Sequence, residues 1–167
     1  MIFTREMEPV GFPDLMTKEP AGGLHKMENE SRDDHRAGAA DPENRPLCTL
    51  MVGSNRTCVN LELRELGRDL LLLVTGGEAH VGAVGVWPAA SEGAPAAVTE
   101  LPGHREGPLA GECAAALGRA TGKAVVAVVG IHQDNATREE IEAIVAHVRQ
   151  GTGAVVAALA ARNGAGG

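Results

Sequence analysis

The chain has 167 residues, a formal net charge of -7, and a composition that is 44% hydrophobic but only 2% aromatic, with one Trp and no Tyr. That length suits one well-buried domain and is short for two, and its core must be built from Val, Leu and Ala. The acidic balance excludes a nucleic-acid partner held by Lys and Arg, and the scarcity of rings excludes a base-stacking platform.

Residues 1–46 are charged and rich in Pro, Gly and Asn, with no sustained period, and the stretch from His25 to Arg45 is nearly all polar. Such a segment cannot bury enough apolar surface to offset ordering its backbone. A disordered leader is therefore expected, with His25 and His35 as solvated bystanders. The pattern changes at Pro46, and a single α+β domain is expected over 47–163, followed by a frayed tail over 164–167. Leu47 to Gly53 is a short apolar run, and Ser54-Asn55-Arg56 a turn. Thr57 to Arg64 alternates Val59, Leu61 and Leu63 against Cys58, Asn60 and Glu62, which marks a strand with one wet face. Leu66-Gly67 turns the chain into a leucine-rich strand from Asp69 to Thr75. Gly76-Gly77 turns it again, into a strand from Ala79 to Trp87 whose Gly82 and Gly85 suggest close backbone approach or a bulge. A loop from Pro88 to Pro95 leads to a strand from Ala96 to Leu101.

The second half changes period. Glu106 to Thr121 places Leu109, Cys113, Leu117 and Ala120 on one helical face, with Pro108 in the first turn and Gly122 as the stop. Lys123 to Gly130 holds a β-branched run short enough for a buried strand. Thr137-Arg138-Glu139-Glu140 is a capping-box sequence, and the helix it starts shows Ile141, Ile144, Val145 and Val148 on one side. Gly151 is expected to end that helix, and Ala154 to Arg162 to form a further short one. The fold class that results is α+β: a largely antiparallel sheet, order β-β-β-β-β-α-β-α, with helices on one face.

Three cysteines, Cys48, Cys58 and Cys113, lie in apolar stretches without a CxxC spacing, which suits buried small side chains in a reducing compartment. The first residues lack the apolar run of a signal peptide, and no apolar run approaches the ~20 residues of a membrane span. A cytoplasmic protein without membrane contact is expected.

Chemistry concentrates in three turns, which carry His80, His104 and His132. Short turns imply antiparallel neighbours, so the strands before and after Gly76-Gly77 meet at one end of the sheet. The next strand runs back and finishes there, ahead of His104. The last strand, after a right-handed crossover, is expected beside it and parallel to it, bringing His132 to the same rim. Both helix N-termini, near Arg105 and Thr137, point there as well. Two positive dipole ends, three imidazoles, Arg105 and Arg138 make an anion cradle. His80, His104 and His132 are also candidate ligands of a divalent metal, with Asp134 beside them, although their spacing alone is not diagnostic. Taken singly, each histidine is better read as capping a turn or helix by hydrogen bonding; it is the three together, on one rim, that favour a site. Asp134 and Asn135 also fit an Asx-turn before the Thr137 cap.

Leu66-Gly67-Arg68-Asp69, Thr75-Gly76-Gly77 with His80-Val81-Gly82-Ala83-Val84, Leu101-Pro102-Gly103-His104-Arg105-Glu106 and the run from Gly130-Ile131-His132-Gln133-Asp134-Asn135 to Ile141 resemble the prenylated-flavin chaperone (LpdD-like) family, the small D subunits associated with non-oxidative hydroxyarylate decarboxylases such as gallate decarboxylase. The resemblance spans roughly 47–150. It implies an accessory protein that binds, chaperones or matures prenylated FMN for a UbiD-type decarboxylase, on a small fold similar to proteasome-assembly chaperones that forms homodimers. On that reading His80, His104, Arg105, His132, Asp134 and Arg138 contact the cofactor or a metal bridging to it. Two other readings compete: a metal-dependent hydrolase or lyase using the His80/His104/His132 cluster with Asp134 or Glu106 as general base, and a structural subunit whose histidines are only caps.

Overall fold

In the computed structural model, residues 45–89 and 96–164 are described. All but the last two residues of the expected leader lie outside them, as do most of the loop expected over 88–95 and residues 165–167 of the tail. Six strands and two helices follow in chain order: β1 (Cys48–Val52), β2 (Val59–Leu66), β3 (Asp69–Gly77), β4 (Ala83–Trp87), β5 (Ala97–Glu100), α1 (Gly107–Thr121), β6 (Val125–His132) and α2 (Arg138–Gly164). A 3₁₀ turn, Asn55–Thr57, joins β1 to β2.

The strands form one sheet in the order β1-β2-β3-β6-β4-β5, in which only β3 and β6 pair in parallel. The fold class is thus as the sequence implies, but the adjacency of the last strand is not. β6 lies between β3 and β4 instead of beside β5. Its run Val125-Val126-Ala127-Val128-Val129 is apolar without a break, and a central position satisfies both of its edges and buries Val125, Ala127 and Val129. β5, exposed along its whole length, takes the edge. The direction of every strand nevertheless agrees with the expectation, because β4 is antiparallel to β6 and β5 antiparallel to β4.

Alternation decides which face is dry. Val59, Leu61 and Leu63 on β2, and Leu70, Leu72 and Val74 on β3, are all buried, and cross-strand register sets Leu61 opposite Val74 and Leu63 opposite Leu72. Both helices cover this face: Leu109, Cys113 and Leu117 of α1 are buried with it, as are Ile144, Val148 and Val155 of α2. Ala120, expected among the buried residues of α1, is exposed in the last turn. The opposite face carries the half-buried Leu71, Leu73, Val84, Val126 and Val128 and the exposed Val86, with no described helix across them.

The helix expected to stop at Gly151 runs on to Gly164. Gly151 is there for packing: a Cβ on it would meet a Leu61 methyl at 2.5 Å, so the missing side chain lets α2 lie close to β2. Beside it, the buried Thr152 hydroxyl is satisfied within the helix by donating to the Val148 carbonyl at 2.8 Å. The uninterrupted α2 is long and apolar enough, by length and composition, to cross a bilayer, which corrects the expectation that no segment is. Its Arg149 is paired with Glu112 of α1 at 2.8 Å and its Val148, Thr152 and Val155 are buried, the pattern of a helix packed on a sheet.

Candidate functional site

Two close backbone approaches assemble the rim at the C-terminal ends of β3 and β6. Gly77 adopts a positive φ of 57°, and the Glu78 amide donates to the His132 carbonyl at 3.0 Å. The chain then passes over β6. A side chain on Gly130 would collide with the His80 carbonyl, so only a glycine lets residues 80–82 cross there. Gly82 next donates to Val129 at 3.0 Å and β4 begins. The strand expected from Ala79 therefore starts four residues later, because 79–82 are the crossing.

This crossing brings the three histidines together. The His80 and His104 rings lie 4.6 Å apart, centre to centre, with Nε2 of His80 3.1 Å from Nδ1 of His104. His132 stands edge-on to His80 at 6.1 Å. The Nδ1–H of His80 donates to the Glu78 carbonyl at 3.0 Å, since a carbonyl only accepts, and this leaves the Nε2 lone pair of a neutral ring turned toward His104. His132 Nε2 pairs with Asp134 at 3.1 Å, on the exposed side of the cluster.

Glu106 joins the group. Its carboxylate approaches His80 Nε2 at 3.6 Å and His104 Nδ1 at 3.5 Å, and only 13% of its side chain is exposed, against 25% and 29% for the two histidines. It occupies the space left by Gly82, where a Cβ would meet the Glu106 Cδ at 2.7 Å. In the sequence Glu106 stood out as a helix start, as the end of the Leu101–Glu106 motif and as an alternative general base, but not as a partner of His80 and His104. The signal that would have raised it is the pairing of a glycine in one turn with a carboxylate in another, and that pairing needs the fold.

Beside the cluster, a cavity of about 540 Å³ opens between the starts of the two helices, within the size range of small-molecule sites. His104, Arg105, Glu106, His132 and Gln133 supply its polar rim, and Leu109, Ile131, Ile144 and Val145 its apolar wall. Ile141, expected on the buried side of α2, is 52% exposed because it lines this cavity. A second groove of about 530 Å³ between β5 and α1, lined by Ala96, Val98, Gly111 and Ala115, contains no imidazole.

The helix starts are partly occupied by the protein's own carboxylates. Glu100 accepts the Gly107 amide of α1 at 2.7 Å. The capping box of α2 forms as expected, with Glu140 N–H to Thr137 Oγ1 at 3.2 Å and Thr137 N–H to Glu140 at 2.9 Å. Arg56, which the sequence did not single out, donates to the Asp134 carbonyl at 2.8 Å and to Glu140 at 2.7 Å. That guanidinium holds the Glu140 carboxyl below the usual carboxylate range. Arg138 is not brought to the cluster: its guanidinium pairs with Glu142 one turn on and is 87% exposed. Cys113 is buried against Thr152, and burial pushes its thiol up, away from nucleophilic use.

The profile of the prenylated flavin chaperone LpdD-like domain family matches residues 53–160, well over half of the chain and every element from the 3₁₀ turn to all but the end of α2. The chain belongs to that family. Comparison with curated proteins finds no match.

Proposed function

We propose that this chain binds prenylated FMN in the cavity between the α1 and α2 starts and delivers it to a UbiD-type non-oxidative aromatic acid decarboxylase. The observation that carries the reading is the make-up of that cavity in a member of a prenylated-flavin chaperone family: an apolar wall facing a rim of two imidazoles and Arg105. The wall of Leu109, Ile131, Ile144 and Val145 suits a flat prenylated ring. His104 and His132, on the rim of the same cavity, offer hydrogen-bond partners to ring oxygens and nitrogens. Arg105 offers the phosphate a guanidinium, whereas Arg138, at the start of α2, pairs with Glu142 outside the cavity and takes no part in the site. Asp134 acts through His132 by fixing its tautomer and orientation. The decarboxylation chemistry belongs to the cofactor once it is delivered, and the chaperone binds, orients and shields it.

The same reading makes the chain a cytoplasmic homodimer. Its support is the face of the sheet that carries no helix among the described residues, where Leu71, Leu73, Val84, Val86, Val126 and Val128 form a contiguous apolar row of the kind a second copy covers.

The test is co-expression with a flavin prenyltransferase, purification, and a visible absorption spectrum, followed by titration of an apo UbiD-type decarboxylase. Co-purifying flavin and transferred decarboxylase activity are expected, with His132→Ala and His104→Ala weakening flavin retention. A colourless protein refutes the function. A coloured protein with unchanged affinity in both variants refutes the assigned cavity.

A further inference from the structure

We propose that His80, His104 and Glu106 form a site for a divalent transition-metal ion of the zinc or ferrous class. This differs from the His80/His104/His132 set that the sequence brings to mind, because His132 turns its Nε2 to Asp134 while Glu106 turns inward. The site does not rest on the flavin reading and would stand without it.

Three observations converge on it. First, the separations fit one ion. Donor atoms bound at ~2.1 Å in a tetrahedron lie about 3.4 Å apart, and the pairs here are 3.1, 3.5 and 3.6 Å. The carboxylate presents one oxygen to each ring, and one ligand atom from each residue lies within 4.8 Å of the other two, so a small rotation or bidentate binding completes the set. Second, the outer partners are those of a metal site. His80 donates its far ring N–H to the Glu78 carbonyl, which fixes the tautomer that leaves Nε2 free to coordinate. The Arg105 amide donates to Glu106 Oε2 at 2.8 Å and holds the carboxylate in place. Third, the backbone makes room for this arrangement. Gly130 admits the His80 carbonyl and Gly82 admits the Glu106 carboxylate, so the chain omits two side chains where the three donors converge.

Two histidines and one carboxylate leave coordination positions open for water or a ligand oxygen, as in catalytic zinc and non-haem iron sites. His104 and Glu106 also line the cavity, so an ion held by them stands at its edge.

The experiment is titration of the purified full chain with Zn²⁺ by calorimetry and with Co²⁺ by visible absorption. One ion per chain is expected, with the intense Co²⁺ bands of a four-coordinate centre. Glu106→Gln keeps the side-chain shape, and it and His104→Ala are expected to weaken binding by more than about 100-fold, beyond the range of outer-shell changes. Replacing His25 and His35 together should leave stoichiometry and affinity unchanged. The site is overturned if wild type binds no ion, or if E106Q and the double variant H80A/H104A bind as wild type does. It is also overturned if binding disappears with His25 and His35. Thermal melts of each variant separate loss of ligand from loss of fold, and E106Q stands as the test if the histidine variants unfold.

Discussion

Adding one methyl group at Gly82 or at Gly130 should damage this protein in two different ways. Neither glycine is among those with positive φ, so alanine meets no backbone strain at either position and the outcome depends on what the new Cβ touches. At Gly82 it meets the end of a flexible side chain, 2.7 Å from Glu106 Cδ and 2.8 Å from both carboxylate oxygens. Restoring ordinary contact at ~3.5 Å or more requires the carboxylate to withdraw by about 1 Å. Turning that side chain costs about 0.5–1.5 kcal/mol. Removing glycine's freedom from the unfolded chain returns about 0.4–1 kcal/mol. G82A should therefore lie within about 1 kcal/mol of wild-type stability while its Glu106 moves out of reach of an ion shared with His80 and His104. At Gly130 the new Cβ meets the backbone carbonyl of His80, and the Gly82 amide lies 3.2 Å away. Neither can move without dislodging the crossing over a central strand, so a loss of about 3 kcal/mol, at the upper end of overpacking costs, is expected. For a domain of this size that is roughly a 10 °C fall in melting temperature. Urea denaturation together with Zn²⁺ titration reads both quantities. Equal stability losses in the two variants, or wild-type Zn²⁺ affinity in G82A, would refute the reasoning.

Other expectations follow from the packing of the helices. Cys113 should resist a thiol reagent in the native protein and react only on unfolding, whereas the half-buried Cys48 and Cys58 react sooner; counting labelled thiols against time checks this. Arg149 holds the Glu112 carboxyl below its ordinary value through a paired hydrogen bond, so that ion pair stabilises the fold above the unfolded-state carboxylate range and is lost as pH falls through the lower folded value. The pair is largely exposed, so the contribution is at most about 1 kcal/mol. Melts of wild type and E112Q should differ at about pH 7 and converge once the pH has fallen below the lowered folded value; a gap that persists in acid would show that something other than this charge pair separates them.

Much of this architecture was legible because it depends on local chemistry. The alternation of Val59, Leu61 and Leu63, the Gly122 stop, and the Thr137/Glu140 capping box each act within a few residues, and each forms where the sequence places it. The order of strands was not legible. A turn such as Gly76-Gly77 reads the same whether the next strand returns beside β3 or one place further along, and only the need of Val125–Val129 for two paired edges decides it. Gly151 misled for a related reason: a helix-stopping glycine and a packing glycine are the same letter, and the difference is a Leu61 methyl from a strand ninety positions earlier. Arg56 became visible only with its partner Glu140, and the place of Glu106 between His80 and His104 only with Gly82.

The error in adjacency did not spoil the convergence of the histidines, and the reason is topological. Their meeting requires only that β3, β5 and β6 finish at one end, and directions alternate in the same way whether or not β6 is inserted between β3 and β4. Insertion adds something a simple hairpin would lack. With β6 in the way, the link from β3 to β4 must climb over its last residues, and this drapes the His80 carbonyl across Gly130 and sets the His80 ring between those of His104 and His132. A hairpin turn would leave His80 at the sheet edge beside its own strand partner, with no reason for Gly82 to yield its space to a carboxylate from α1. The buried position of β6, demanded by its valines, is thus also the feature that closes the imidazole–carboxylate cluster.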